Sequence, residues 1–143
     1  MNSRSTERLL TIGYLEQVDL PEWRVFRLVA KVDTGALTSA LHVENLARWE
    51  GDWLTFDVPN AFESERGVQH VEARVVRISC VRSTSGTTLE RPVVCVKLRL
   101  GRQVRDIELG LVDRSGMNYP MLLGRSALGG LCLVDPARSY LLK

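Results

Sequence analysis

Short hydrophobic runs recur along the chain, and turn-forming residues separate them. Several runs alternate apolar with polar positions, as residues 94–100 and 104–109 do, which predicts strands that bury one face and expose the other. Gly101 and Arg102 stand between these two runs and predict a tight hairpin turn. The predicted strands are residues 9–14, 25–32, 53–58, 71–81, 92–100, 104–112 and 131–134.

Helical patterns are scarce in this sequence. Only residues 38–48 and 126–128 are candidates, and both are short. The chain has 143 residues with 45% hydrophobic content and shows no internal repeat or linker, so we expect a single domain over residues 1–143. The fold class predicted from these patterns is all-β.

Composition narrows the range of partners. The 19 basic and 17 acidic residues are scattered along the chain, so we expect no nucleic-acid partner. Residues 1–11 lack the apolar run of a signal peptide and no later stretch is long enough to span a bilayer, which favours a soluble, cytoplasmic protein with no membrane partner. Cys80, Cys95 and Cys132 lie far apart within apolar runs and are expected to be reduced core thiols.

The strongest chemical signal is a carboxylate at the end of an apolar strand, in Asp33-Thr34-Gly35-Ala36. A carboxylate in such a place is costly unless it is hydrogen-bonded or functional. Gly35 allows the backbone to approach the carboxylate closely, and Thr34 supplies a hydroxyl that can satisfy buried backbone groups. The tripeptide alone is also typical of an ordinary β-turn.

A second motif, Met121-Leu122-Leu123-Gly124-Arg125-Ser126-Ala127-Leu128, is an apolar segment that ends in Gly and continues into a short helical turn. The order of the two motifs resembles the retropepsin family, and the match from Ile12 to Pro136 is similar to a bacterial retropepsin-like family often labelled "ATP-dependent zinc protease". The resemblance implies a closed, barrel-like all-β protomer with a flap hairpin and one short helix. It also implies that Asp33 is catalytic, scaffolded by Thr34, Gly35, Ala36, Leu122, Leu123 and Gly124.

The activity that the resemblance implies is aspartic endopeptidase cleavage, in which two carboxylates share a proton and activate a water. The chain offers one such motif, because Thr84-Ser85-Gly86 lacks the acid, so the second Asp33 must come from an identical copy in a homodimer. Ala36 stands where pepsin-like enzymes often carry a hydroxyl, so we expect a weakly acidic to near-neutral optimum. A pH–rate profile peaking below about pH 3 would contradict this expectation.

Residues 78–91 are the candidate flap, although an ordinary exposed hairpin fits their pattern equally well. Candidates for substrate contact are Thr38, Ser85, Gly86, Thr87 and Arg91. Arg125 is a candidate for a structural ion pair. The ion-pair partner of Arg125 is not assigned, because Leu37 stands where the bacterial family usually carries Arg and many retroviral enzymes carry Asp.

The label of the bacterial family implies zinc and ATP. Only His42 and His70 offer imidazole ligands here, and neither a His-Glu-x-x-His pattern nor a phosphate-binding glycine loop is present, so we expect no metal and no cofactor. Two alternatives remain: a metallopeptidase that uses both histidines, and a non-catalytic dimeric module that binds a peptide or partner. The family is often linked to ATP-grasp ligases that add glutamate, so a ligase system of this kind is an expected partner beside a protein or peptide substrate.

Overall fold

The computed structural model describes residues 9–59, 67–82, 85–113 and 117–142. Strands dominate these residues, with one short α-helix and a 3-10 turn at Pro21–Trp23. No helix in this part of the chain is long and apolar enough to span a membrane. The elements are β1 (Leu10–Gly13), β2 (Leu15–Leu20), β3 (Val25–Val32), β4 (Ser39–His42), β5 (Glu44–Glu50), β6 (Trp53–Pro59), β7 (Val68–Arg82), β8 (Thr88–Leu100), β9 (Gln103–Val112), β10 (Met121–Leu123), α1 (Arg125–Leu128) and β11 (Cys132–Asp135).

Six strands form a closed barrel in the order β2, β3, β10, β4, β9 and β8, and pairing of Asp19 with Arg99 closes it between β2 and β8. Strands β7, β6 and β5 continue outward from β8, while β1 and β11 form a separate parallel pair. The all-β, closed-barrel fold with one short helix is therefore confirmed.

The alternating pattern of β8 explains how the barrel fills its interior. Val94, Val96, Leu98 and Leu100 are buried, whereas Cys95 between them is exposed. Burying a side chain of this size contributes about 1.5–3 kcal/mol. The predicted turn after β8 is also present, with Gly101 at a φ of +61°.

The predicted helix over residues 38–48 is wrong. This segment forms β4 and β5, and β4 lies between β10 and β9, pairing with both. Ala40 and Leu41 are buried there. Pairing on both sides and burial outweigh the local helix preference of the segment. Strand β2 (Leu15–Leu20) also lies outside the predicted strands.

The burial of the three cysteines only partly matches the prediction that they lie in the core. Cys80 and Cys95 are exposed, so their placement in the core was wrong, because both lie on outward positions of long strands. Cys132 is half-buried, and burial raises the pKa of its thiol to about 11. The Cys132 thiol is therefore protonated and unreactive at neutral pH.

A buried carboxylate ties the last described residues to the barrel. Glu16 on β2 is fully buried, and its Oε2 accepts hydrogen bonds from the backbone N–H groups of Gly13 (2.7 Å) and Leu141 (2.9 Å). Its Oε1 accepts a third from Leu142 (3.2 Å). A Cβ on Gly13 would clash with the carbonyl oxygen of Arg138, so the segment packs directly against this glycine.

We expect Glu16→Gln to lower the free energy of unfolding by about 1–3 kcal/mol, because the new amide NH₂ would face a backbone donor and leave it unsatisfied. Urea unfolding measures this loss. Glu50→Gln is the matched control, since Glu50 is exposed on β5. Equal stability of the two variants would contradict the role given to the Glu16 carboxylate.

Candidate active site

The two sequence motifs meet at the end of β3. Strand β10 lies parallel beside β3, with Leu123 opposite Val32, and antiparallel beside β4. The backbone N–H of Asp33 donates to the carbonyl oxygen of Leu123 at 2.8 Å. Asp33 is therefore held directly by the apolar strand of the second motif.

A tight turn orients the Asp33 side chain. The N–H of Ala36 donates to the Asp33 carbonyl oxygen (3.1 Å), and the N–H of Gly35 donates to the Asp33 carboxylate oxygen Oδ1 (3.1 Å). A Cβ at Gly35 would lie only 3.3 Å from that oxygen. Asp33 is partly exposed, while Thr34 and Gly35 are exposed. The carboxylate is thus fixed by the backbone and open to solvent. We call residues 33–38 the Asp33 loop.

Gly124 lies against the far end of the Asp33 loop. A Cβ there would lie 2.8 Å from the carbonyl oxygen of Leu37 and 2.8 Å from the carbonyl carbon of Thr38. The N–H of Gly124 donates to Oγ of Ser39 at 3.0 Å, and Ser39 is buried. The absence of a side chain at Gly124 is what allows the loop to pack at this distance.

The first turn of α1 binds the same loop. The N–H groups of Arg125 and Ser126 donate to the carbonyl oxygens of Ala36 (2.8 Å) and Leu37 (2.9 Å), which satisfies donors that a helix start leaves free. Nη1 of Arg125 donates to the Thr34 carbonyl oxygen at 2.9 Å. Among the described residues no carboxylate lies within ion-pair distance of Arg125, so within one copy of the chain its side chain bonds a backbone carbonyl of the Asp33 loop.

The predicted hairpin is formed by β7 and β8, which pair from Ile78 opposite Pro92 to Arg82 opposite Thr88. Within the candidate flap of residues 78–91, Ser83 and Thr84 lie outside the described residues. The substrate-contact candidates Ser85, Gly86 and Thr87 are exposed, and Gly86 has a φ of +90°.

Arg91 and Thr38 differ in position. Arg91 lies opposite Ser79 and lines an open hollow of 280 Å³ whose lining includes no residue of the Asp33 loop. Thr38 belongs to that loop. Thr38 is therefore part of the same loop as Asp33, whereas Ser85, Gly86, Thr87 and Arg91 lie on the hairpin.

Two charged residues beside the site, Arg77 and Glu108, are not predicted by any sequence motif. Nη2 of Arg77 lies 3.3 Å from Oγ1 of Thr38, and Nε of Arg77 donates to the Glu108 carboxylate at 2.9 Å. Neither residue belongs to a motif, and each occupies a strand position where a charged side chain is ordinary. Only the pairing of distant strands shows that they meet at the loop.

The two histidines do not form a zinc site. Nε2 of His42 lies 3.6 Å from a Glu44 oxygen, and Nδ1 of His70 lies 2.9 Å from a carboxylate oxygen of Asp57. Hydrogen bonds from Asn45 and then His70 hold the pKa of Asp57 below its usual value. In the described ranges no group of three or more His, Cys, Asp or Glu side chains is placed to hold a metal ion. The donor set therefore does not fit the zinc that the family label implies.

A glycine turn that presents a carboxylate, and whose backbone is hydrogen-bonded to an apolar-apolar-Gly strand of a closed barrel, is the arrangement of a retropepsin-like fold. The family described as "Retropepsin-like aspartic endopeptidase RimB" matches residues 11–143, and the chain belongs to this family. The resemblance stated from the two motifs is confirmed.

Curated relatives are longer than this chain. A "Probable alpha-L-glutamate ligase" of Parasynechococcus marenigrum is 38% identical over 136 residues, covering 93% of this chain and 29% of the relative. A protein with the same name from Shewanella pealeana is 34% identical, with 92% and 29% covered. The chain thus spans less than a third of these relatives. A crystal structure of a Legionella pneumophila protein of unknown function superposes with a TM-score of 0.76 at 33% identity, covering 94% of this chain and 98% of that one.

Proposed function

We propose that this chain is one protomer of a homodimeric aspartic endopeptidase whose active site pairs Asp33 with Asp33 of a second copy. The observation that carries the proposal is the carboxylate of Asp33, which the N–H of Gly35 orients on a partly exposed turn. The chain has one such motif, and peptide hydrolysis by this chemistry needs an acid and a base. A two-fold axis through the turn would supply both.

The surface around Asp33 supports a partner on this face. Leu37 in the Asp33 loop is 60% exposed, although it is a large apolar residue. Tyr14 is also exposed, and its carbonyl oxygen accepts the N–H of Val32, the residue before Asp33, at 2.9 Å. Apolar side chains that flank an exposed functional turn are typical of an interaction surface. A second copy would cover them and bring the two turns together.

In this dimer the two carboxylates hold one proton between them, because two like charges at close range cannot both ionise cheaply. The ionised Asp33 takes a proton from a bound water, and the oxygen of that water attacks the peptide carbonyl carbon. The protonated Asp33 gives its proton to the carbonyl oxygen. The resulting gem-diol intermediate collapses as one Asp33 gives its proton to the leaving nitrogen and the other takes a proton from a gem-diol hydroxyl, which breaks the C–N bond, forms the carboxylic acid and restores the shared proton.

The hairpin of β7 and β8 is the proposed flap, which closes over a bound peptide and excludes water. Ser85, Gly86 and Thr87 are placed near its tip, where exposed small residues allow the backbone to approach a substrate. Arg91 contributes from the base of the same hairpin, and Thr38 from the Asp33 loop.

The relatives suggest a setting for this activity. Proteins named as probable alpha-L-glutamate ligases carry a region similar to this chain within a longer polypeptide. We propose that the chain works in the cytoplasm beside a glutamate ligase system and hydrolyses protein or peptide substrates connected with that ligase. A ligase that forms amide bonds and a peptidase that breaks them would catalyse opposite reactions on the same protein or peptide substrates.

We expect peptide cleavage to survive exhaustive chelation with EDTA and to be abolished by a statine-type transition-state mimic, because Asp33 pairs activate water without a metal. Cleavage of a mixed peptide library, followed by mass spectrometry, measures both effects in one assay. Loss of cleavage on chelation, restored by added zinc, would instead support a metallopeptidase.

A further inference from the structure

We infer that Arg77 is a positioning residue that couples the flap hairpin to the Asp33 loop through Thr38. The inference rests on the proposed function, since it gives the hairpin its role as a flap. It assigns to Arg77 and Glu108 a task that no sequence motif indicates. We call the contacts among Arg77, Glu108 and Thr38 the Arg77 bridge.

Arg77 stands where the hairpin leaves the rest of the sheet. The pairing of β6 with β7 ends at Arg74, and the pairing of β9 with β8 begins at Val93. Residues 78–82 and 88–92 therefore pair only with each other among the described strands. A two-stranded ribbon is marginally stable in water on its own. The direction in which this ribbon points thus depends on contacts at its root.

A β-bulge directs Arg77 at this root. Val75 pairs with Val94, and Arg77 pairs with the adjacent Val93, so Val76 is an extra residue in β7. Bulges bend a strand locally and re-aim the side chains beside them. In this case the side chain that follows the bulge reaches across β8 to β9.

The contacts of Arg77 join three segments. Its Nε and Nη2 lie 2.9 Å and 2.8 Å from Oε1 of Glu108 on β9, and Nη2 lies 3.3 Å from Oγ1 of Thr38. Thr38 precedes β4, whose Ser39 pairs with Leu109, the neighbour of Glu108. One guanidinium therefore links the root of the hairpin, the outer face of the barrel and the Asp33 loop.

The exposure of the bridge indicates what it does. The side chains of Arg77 and Glu108 are 42% and 44% exposed, and ion pairs at such exposure contribute little to global stability. Arginine suits the position because its rigid planar group holds several N–H donors in a fixed geometry, whereas the lysine ammonium is a compact charge on a flexible stem. The bridge sets the orientation of the hairpin relative to the loop, so its loss affects substrate capture more than folding.

The test compares Arg77→Met with Lys97→Met in the 143-residue chain. Lys97 on β8 forms an ion pair with Asp106 on β9 at 2.9 Å, and its side chain is likewise 42% exposed. We expect Arg77→Met to raise KM by about fivefold with kcat changed less than about twofold, because hairpin closure binds the substrate. Lys97→Met leaves both constants unchanged. Arg77→Lys restores part of the loss.

Hydrogen exchange gives a second readout that needs no activity. We expect amides of residues 78–82 and 88–91 to exchange faster in Arg77→Met and in Thr38→Val than in Lys97→Met, while β6 is unaffected. If Arg77→Met showed the same amide exchange rates and the same KM as Lys97→Met, the inference would be overturned. A wild-type protein that cuts no peptide would refute the proposed function, whereas the exchange rates would still decide whether the Arg77 bridge holds the hairpin.

Discussion

Asp33→Asn is expected to lower peptidase turnover by about 10³- to 10⁴-fold, because a pair of asparagines can neither take a proton from water nor deliver one to the leaving group. Asparagine keeps the shape of the side chain and a carbonyl oxygen that can accept the N–H of Gly35. The Asp33 loop should therefore keep its conformation. Turnover of a fluorogenic peptide measures the loss, and sedimentation shows whether the dimer persists.

Asp52→Asn serves as the control, since Asp52 is exposed in the turn between β5 and β6. It should cut peptides as fast as the wild type. The same pair of variants separates the enzyme from a non-catalytic binding module. A binding module would hold its peptide equally well before and after the Asp33→Asn change, and its wild type would show no turnover to lose. Retention of full turnover in Asp33→Asn would exclude Asp33 as the catalytic acid.

Gly124→Ala is expected to damage both folding and activity. The added Cβ would lie 2.8–2.9 Å from backbone atoms of Leu37 and Thr38, which cannot rotate away as a flexible side chain would. Forcing a methyl group into such a contact costs about 1–3 kcal/mol of stability. The Asp33 loop must shift to relieve the contact, and a misplacement of about 1 Å can cost 10²-fold in rate.

Urea unfolding and peptide turnover measure the two losses for Gly124→Ala. Gly110→Ala is the matched control, because Gly110 is also buried and a Cβ there would meet the Ser39 carbonyl oxygen at an ordinary 3.6 Å. We expect a small effect at Gly110 and a large one at Gly124. If both alanine variants were equally stable and active, close packing of β10 on the loop would not be what positions Asp33.

Much of the fold follows from the local alternation of apolar and polar residues and from the turn residues between strands. The alternation along β8 and β9 predicts two half-buried strands, and Gly101 between them adopts the positive φ that a two-residue turn requires. The turn at Asp33 is local in the same sense, since Gly35 and Ala36 donate to Asp33 itself. Features set by neighbours in the sequence could therefore be predicted from it.

Features that depend on distant partners could not be predicted. Strand β4 resembles a helix locally and becomes a strand because β10 and β9 flank it. Glu16 is buried because N–H groups of Leu141 and Leu142, far away in sequence, surround its carboxylate. Arg77 reaches Thr38 only through a register shift in β7, which leaves no trace in composition. Tertiary context decides all three.

The central claim is that two Asp33 carboxylates from two copies form one active site, and a mixing experiment tests it most directly. Wild-type and Asp33→Asn protomers are combined at constant total concentration, given time to exchange, and assayed for peptide cleavage. A site that needs both aspartates loses activity with the square of the wild-type fraction, so an equal mixture keeps about one quarter of the activity. A linear decline, with an equal mixture keeping about half, would show that each protomer cuts alone.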